Sequence, residues 1–139
     1  MKTLKLAVTA VAVLALLWFI ASSLVTTIPP SPMTSTAIGE SFARIQLYAK
    51  QHRRLPSTIA DFPRRDGYAN RTDDGWGHPL AYAVDANGIV TLSSLGADNQ
   101  VGGLGDDADI SRSYASIDQQ GRFIAGNELW LVDGEISAR

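Results

Sequence analysis

The chain has 139 residues, 12 basic and 14 acidic side chains, a formal net charge of −2 and no cysteine. This length predicts one small domain. The lack of cysteine excludes disulfides and cysteine-based zinc sites, and the two histidines, His52 and His78, make no convincing zinc site. No basic stripe with interleaved aromatic residues occurs, which argues against nucleic acid as a partner.

The N-terminal segment from Leu6 to Ile28 carries no charge and is mostly apolar. As a helix, about 23 residues reach ~34 Å, enough for a ~30 Å hydrocarbon core. Lys2 and Lys5 precede it and favour a cytoplasmic N-terminus. We interpret residues 1–28 as an uncleaved signal-anchor, with a secretory signal peptide as the alternative. We expect a single-pass inner-membrane protein whose C-terminal domain lies in the periplasm.

A proline-rich linker, residues 29–32, follows the apolar segment. Prolines interrupt a helix, so we expect a break here, with Ser31 as the N-cap of the next helix. From Met33 to His52 the pattern predicts an amphipathic helix, with Arg44 among the polar residues mostly off its apolar face. That face, which we expect to cover a sheet, consists of Ile38, Phe42, Ile45, Tyr48 and Ala49.

Short elements are predicted after the helix. One helical turn is expected at Ser57 to Phe62, and a tight turn holding Trp76 at Asp73 to Pro79. Alternation and β-branched residues predict a hairpin of two strands, with Asp85 to Gly88 as its loop. The predicted strands are Leu80 to Val84, Ile89 to Ser93, Tyr114 to Ile117, and a second hairpin of Arg122 to Ala125 and Glu128 to Val132 around Gly126-Asn127. A helix covering an antiparallel sheet makes an α+β fold.

An acidic, glycine-rich loop occupies residues 94–110. It contains Asp98, Asp106, Asp107 and Asp109 together with Gly96, Gly102, Gly103 and Gly105. Without a cation the four carboxylates repel one another, while glycines let the backbone turn its carbonyls inward. Hard oxygen ligands on a flexible loop suit Ca²⁺. The alternative is a solvated polar turn, because glycine and aspartate are common in turns.

No catalytic constellation is present in the sequence. A nucleophile needs an activating base and an orienting group. The serines occupy no Gly-x-Ser-x-Gly setting, and the histidines lie in polar loops. We therefore expect a protein that is not an enzyme and has no small-molecule substrate.

The order of these features resembles a known family. An amphipathic helix, an Arg-Leu-Pro turn, an Asp-Gly-Trp-Gly-His-Pro turn, a hairpin and a Ser-Leu-Gly-Ala-Asp loop ending in Gly-Asp-Asp-Ala-Asp-Ile follow one another. Together they resemble the GspG-type major pseudopilin of type II secretion systems, from about Ile38 to Ile110. The resemblance implies a pilin-like α+β fold over residues 33–139, in which a long helix lies on a small antiparallel sheet.

The resemblance also implies a structural Ca²⁺ in the acidic loop. Carried onto this sequence, its ligands are the carbonyls of Leu95 and Val101 and the carboxylates of Asp98 and Asp106. Asp107 and Asp109 are further candidates, with a turn-capping or salt-bridge role as the alternative for either.

The sequence departs from the family in several places. No glycine precedes Gly39 and no acidic residue precedes Glu40, and the proline of the usual Asp-Pro-Trp-Gly motif is Gly75. The cleavage site for a prepilin peptidase and the glutamate that neutralises a neighbouring N-terminus are thus missing, and we expect no polymerisation by the standard route. We expect a membrane-anchored, calcium-binding structural or assembly protein of a type II secretion or related machine, with secretion-system proteins as partners. The alternative is a free-standing periplasmic binding module with the same fold.

Overall fold

The computed structural model describes residues 13–15, 18, 28–124, 130–133 and 136–137, the last two ranges as backbone alone. The predicted anchor or signal peptide, residues 1–28, lies almost wholly outside these ranges. Among the helices in the described ranges, none combines the length and the apolar character needed to cross a bilayer.

The main helix, α1, spans Pro30–His52. The predicted N-cap at Ser31 is wrong, because Pro29 is the N-cap and Pro30 the first helical residue. Prolines are tolerated here since the N–H groups of a first turn have no acceptor within the helix. The helix ends at Arg53, whose backbone is left-handed (φ 57) and whose N–H donates to the carbonyl of Ala49.

A small antiparallel sheet lies against α1, which confirms the α+β architecture. Its central part is a meander of three strands, in which β2 pairs with both β1 and β3. Two further strands, β4 and β5, pair with successive parts of the other edge of β3. The strands are β1 (Ala81–Val84), β2 (Ile89–Ser94), β3 (Asp109–Ala115), β4 (Trp130–Asp133) and β5 (Ile136–Ser137). Short 3₁₀ turns lie at Ile59–Asp61, as predicted, and at Gly105–Asp107.

The first hairpin is confirmed and the later strands are corrected. The strand predicted from Tyr114 to Ile117 was placed too late: β3 runs from Asp109 to Ala115, so only Tyr114 and Ala115 of the prediction lie in it, and its pairing with the end of β2 starts at Ile110. The predicted second hairpin is wrong too, because β4 pairs with β3, while Phe123 bridges to Ile117. The predicted turn at residues 126–127 lies outside the described residues.

The core forms between the apolar face of α1 and the inner face of the sheet. Ile38 and Ile45 on the helix, and Val90 and Leu92 on β2, have no exposed surface. Burial of such aliphatic side chains contributes roughly 1.5–3 kcal/mol each, so this contact holds the helix on the sheet. It also fixes which side of β3 faces α1.

Tyr82 on β1 predicts a loss of stability at alkaline pH. Its hydroxyl donates to the Pro56 carbonyl at 2.9 Å. Burial, followed by the charge of Asp61, raises the pKa of Tyr82 from 10.0 to about 12. Between pH 10 and pH 12 the Tyr82 hydroxyl has lost its proton in the unfolded chain but keeps it in the folded chain. The contribution of Tyr82 to the free energy of unfolding is therefore complete below about pH 10 and is lost as the pH rises toward about 12. Thermal unfolding over this range should show a shallower decline for Tyr82→Phe, and parallel declines would contradict the assignment.

Candidate metal-binding loop and its anchorage

A buried carboxylate joins the turn of residues 73–79, which holds Trp76 and is called the tryptophan turn below, to the acidic loop. Asp74 is 1% exposed, and its Oδ1 accepts hydrogen bonds from the backbone N–H groups of Trp76 (3.0 Å) and His78 (2.8 Å). Its Oδ2 accepts the hydroxyl of Ser94 at 2.6 Å, and that hydroxyl in turn accepts the N–H of Gly96 at 3.2 Å. The start of the acidic loop is therefore held by the turn through one side chain.

His78 adds a second connection between the same two segments. Its Nδ1 lies 3.2 Å from the carbonyl oxygen of Gly96 and 3.6 Å from Oδ2 of Asp74. Sequence reasoning recognised the turn but missed the role of Asp74. The sequence does carry a local signal for the capping role, because Asp74 lies two and four residues before the N–H groups that it caps. The contact of Asp74 with Ser94, by contrast, is decided by the tertiary structure.

The acidic loop closes on itself through backbone contacts. The N–H of Ala97 donates to the carbonyl of Asp106 at 2.8 Å. Gly96 (φ 70) and Gly103 (φ 97) both lie against the carbonyl oxygen of Asp107, which a Cβ would approach to 2.6 and 2.5 Å. Only glycine tolerates both the positive φ and this close approach. These two glycines therefore determine the shape of the loop.

Three of the four loop carboxylates lie at the surface. Asp98, Asp106 and Asp107 are exposed, and Oδ1 of Asp98 accepts the N–H of Gln100 at 3.0 Å. Leu95 is half-buried, while Val101 is 86% exposed. Within the described ranges, no group of three or more His, Cys, Asp or Glu side chains is arranged to hold a metal ion.

Asp109, the fourth carboxylate, is different. Its Oδ2 accepts the N–H of Gly102 at 3.1 Å, but its Oδ1 is buried and has no hydrogen-bond partner among the described residues. A buried carboxylate oxygen without a donor is unfavourable by several kcal/mol unless a cation or proton satisfies it. This oxygen is a hard metal ligand, and so are the loop carbonyl oxygens and the other aspartate carboxylates. The ligand atoms that the loop offers are therefore of the type that Ca²⁺ prefers.

The first turn of α1 contacts the tryptophan turn directly. The N–H of Gly75 donates to the hydroxyl of Thr34 at 2.9 Å, and that hydroxyl donates to the carbonyl of Pro30 at 2.9 Å. A Cβ at Gly75 would overlap the carbonyl of Pro30. Glycine at position 75, where the family pattern has proline, is therefore explained by the close approach of the helix.

Arg44 fixes the loop that connects α1 to the tryptophan turn. The expectation that it lies off the buried face is wrong, since it is 4% exposed. Its guanidinium donates to four backbone carbonyls, those of Phe62, Pro63, Asn70 and Arg71. Burial lowers the pKa of Arg44, and the carboxylate of Glu40 partly opposes this. Helical periodicity assigns arginine to the surface, so no sequence pattern pointed to this role.

A comparison of the sequence with known protein families covers the segments described above. The family model described as type II secretion system protein G matches residues 43–113, slightly more than half of the chain. No curated protein matches the chain in sequence. The matched range includes Arg44, the tryptophan turn, the first hairpin and the whole acidic loop. The chain belongs to the type II secretion system protein G family.

Proposed function

We propose that this protein is a structural or assembly component of a type II secretion machine, held at the inner membrane, whose periplasmic domain binds one Ca²⁺ on the acidic loop. Membership of the protein G family supports a secretion-machine structural role, and this family is one of pseudopilins rather than enzymes. Secretion-system proteins are its expected partners. The observation that carries the calcium proposal is the buried Oδ1 of Asp109, which has no hydrogen-bond partner among the residues that the structure describes.

The proposed ion is held by carboxylates and carbonyls of one loop. Asp109 contributes the buried oxygen, and Asp98 and Asp106 contribute exposed carboxylates, with the carbonyls of Leu95 and Val101 as further ligands. The exposed carboxylate of Asp107 is a further candidate ligand. A bound cation offsets repulsion among the carboxylates and cross-links a segment that otherwise depends on backbone contacts.

Thermal unfolding with calcium and with chelator tests this proposal. If the ion binds with a Kd of ~10 µM, then ~1 mM calcium adds about 2.7 kcal/mol to the free energy of unfolding. Asp98→Ala and Asp106→Ala should each remove most of this gain. Both side chains are exposed, so we expect little change in stability in chelator. The experiment uses the full chain extracted in detergent.

A matched control is Asp66→Ala, an exposed aspartate outside the acidic loop, which should keep the whole calcium-dependent gain. Absence of any gain in the wild-type protein would contradict calcium binding. Equal losses of stability with calcium and with chelator, for Asp98→Ala or Asp106→Ala, would contradict the ligand assignment.

A further inference from the structure

A basic groove lies along one side of α1, separate from the acidic loop. It has a volume of about 520 Å³, and its lining includes Ser35 and Gly39 of the helix, Arg65 and Tyr68 of the following loop, and Arg112 of β3. We call it the Arg65–Arg112 groove. It is open at the surface, and none of its lining residues belongs to the proposed ion site.

The Arg65–Arg112 groove presents two guanidinium groups. The Cζ of Arg65 lies 3.7 Å from the centre of the Tyr68 ring, a stacked arrangement that orients the guanidinium and leaves the N–H groups at its edges able to donate. Within residues 28–124, neither arginine forms an ion pair with a carboxylate. Two planar cations of this kind fit an anion that offers several acceptor oxygens, as a phosphate does.

One acidic side chain, Glu40, also lines the groove. Its Oε1 accepts the backbone N–H of Asn70 at 2.6 Å, which holds the carboxylate on the connecting loop rather than on either arginine. Two arginines and one glutamate leave the groove with one net positive charge. This charge favours an anion over a zwitterionic or cationic group.

The groove begins close to the end of the apolar N-terminal segment. That segment ends at Ile28, which is 64% exposed, and α1 starts two residues later at Pro30. At ~1.5 Å of rise per residue, Ser35 and Gly39 lie about 8 and 14 Å along the helix from Pro30. The headgroup layer on each side of a bilayer is about 5–8 Å thick. In a chain anchored by residues 1–28, the near end of the groove therefore lies at the level of the headgroups, and a tilt of α1 lowers the rest toward them.

Two further features of this end of the domain suit a membrane surface. The first turn of α1 contains no acidic residue, and the guanidinium of Arg71 contacts the sulfur of Met33 there. Tyr68 is 53% exposed. Tyrosine is enriched at membrane–water interfaces, because its ring is apolar and its hydroxyl is polar. The groove therefore combines cations for a phosphate with an aromatic side chain suited to the interface.

We infer that the Arg65–Arg112 groove binds the phosphate of an anionic phospholipid headgroup and so holds the domain against the membrane in which the chain is anchored. Both guanidinium groups donate to phosphate oxygens, and the Tyr68 ring lies beside the headgroup. The inference rests on the proposed membrane anchoring and deepens it, but it does not require calcium.

Lipid retention by the full chain, extracted in detergent, tests the site. Native mass spectrometry counts the phosphatidylglycerol or phosphatidylcholine molecules that the chain retains when either lipid is added. Both lipids carry a phosphate, but the choline cation would lie among the arginines, so we expect phosphatidylglycerol to be retained in preference. The double variant Arg65→Gln, Arg112→Gln should lower the fraction of lipid-bearing chains by about tenfold or more. Equal retention of the two lipids, or unchanged retention by the double variant, would overturn the inference.

Matched variants separate loss of the site from loss of the fold. Arg54→Gln removes an exposed cation beyond the other end of α1 and should keep the lipid. Replacing the Arg65 side chain leaves the hydrogen bonds between its backbone and the Asn70 side chain in place, and thermal unfolding checks that the domain stays folded. The variant Arg65→Lys, Arg112→Lys keeps both charges and should retain an intermediate fraction of lipid. Equal losses for Arg54→Gln and the double glutamine variant would contradict a site in the groove.

Fluorescence quenching gives a second test, which locates the contact on the domain. The chain has no cysteine, so a fluorophore can be attached at Ala69→Cys, an exposed position next to Tyr68. The labelled full chain is placed in bilayer discs whose lipids carry a quencher on the headgroup. We expect stronger quenching in discs that contain phosphatidylglycerol than in discs of phosphatidylcholine alone, and the difference should shrink as the salt concentration rises. The control label is at Val84→Cys, 43% exposed on β1 and paired with the end of β2 remote from the acidic loop. Equal quenching of the two labels would contradict the inference.

The outcomes separate this inference from the proposed function and from other ligands. An intact mass that includes residues 1–28, without lipid retention, would overturn the inference and leave the anchoring standing. A mass that lacks these residues would contradict the anchoring and the inference together. Binding of inorganic phosphate that depends on both arginines, with no lipid retained, would assign the groove to a soluble phosphate. Retention of an acidic protein segment in place of lipid would assign it to a protein partner, and either assignment would overturn lipid binding.

Discussion

Arg44→Met should lower the free energy of unfolding by about 3–5 kcal/mol, a large part of the ~5–15 kcal/mol typical of a domain. Methionine retains much of the side-chain volume but has no donors. The carbonyls of residues 62, 63, 70 and 71 then lose the guanidinium that joins them. Buried acceptors left without donors cost about 1–3 kcal/mol each, and entry of water reduces the total.

Urea and thermal unfolding measure this effect. Lys50→Met is the matched control, since Lys50 is an exposed cation on the same helix and its replacement should change stability by less than about 0.5 kcal/mol. Arg44→Lys should be intermediate, because an ammonium group cannot span acceptors arranged for a planar guanidinium. Similar losses for Arg44→Met and Lys50→Met would show that the guanidinium does not hold the connecting loop.

Gly75→Pro, which introduces the residue usual in the family motif, should destabilise this protein by about 3 kcal/mol or more. The new Cβ would overlap the carbonyl of Pro30, and proline cannot donate to the hydroxyl of Thr34. Both effects separate the first turn of α1 from the tryptophan turn. A proline that fits the family pattern is thus expected to be unfavourable in this chain.

Gly39→Ala provides the contrasting control in the same unfolding measurements. Gly39 lies inside α1, and the nearest atom to a Cβ there is the Arg112 side-chain nitrogen at 3.7 Å, an ordinary contact. Alanine is favoured over glycine in a helix by up to about 1 kcal/mol, so this variant should be more stable than wild type. Unchanged stability of Gly75→Pro would show that the approach of Pro30 to Gly75 is not required.

Local patterns in the sequence account for the elements that were predicted correctly. The helical spacing of Ile38, Phe42 and Ile45 is a property of neighbouring residues, as is the alternation around the Asp85–Gly88 loop. The strand β3 was misplaced because its Ser111-Arg112-Ser113 segment carries no apolar alternation. It becomes a strand by pairing with β2 on one side and with β4 and β5 on the other.

The same distinction between local sequence pattern and tertiary contact applies to the candidate site. While the family resemblance supplied the six candidate ligands, the density of aspartate and glycine in residues 94–110 was sufficient to predict an acidic loop. It was not sufficient to rank them, because burial distinguishes Asp109 from three exposed aspartates. The tie from Asp74 to Ser94 joins residues far apart in the chain, and no spacing rule identifies such a pair.

The sequence by itself determined the helix, the first hairpin, the glycine-rich acidic loop and the family, because each depends on residue types at short spacing. The tertiary structure alone decided that Arg44 is buried among carbonyls, that Gly75 supports the first turn of α1, and that one oxygen of Asp109 is enclosed with no partner in the described part of the chain. The physical reason is that burial and hydrogen-bond satisfaction depend on which distant segments meet.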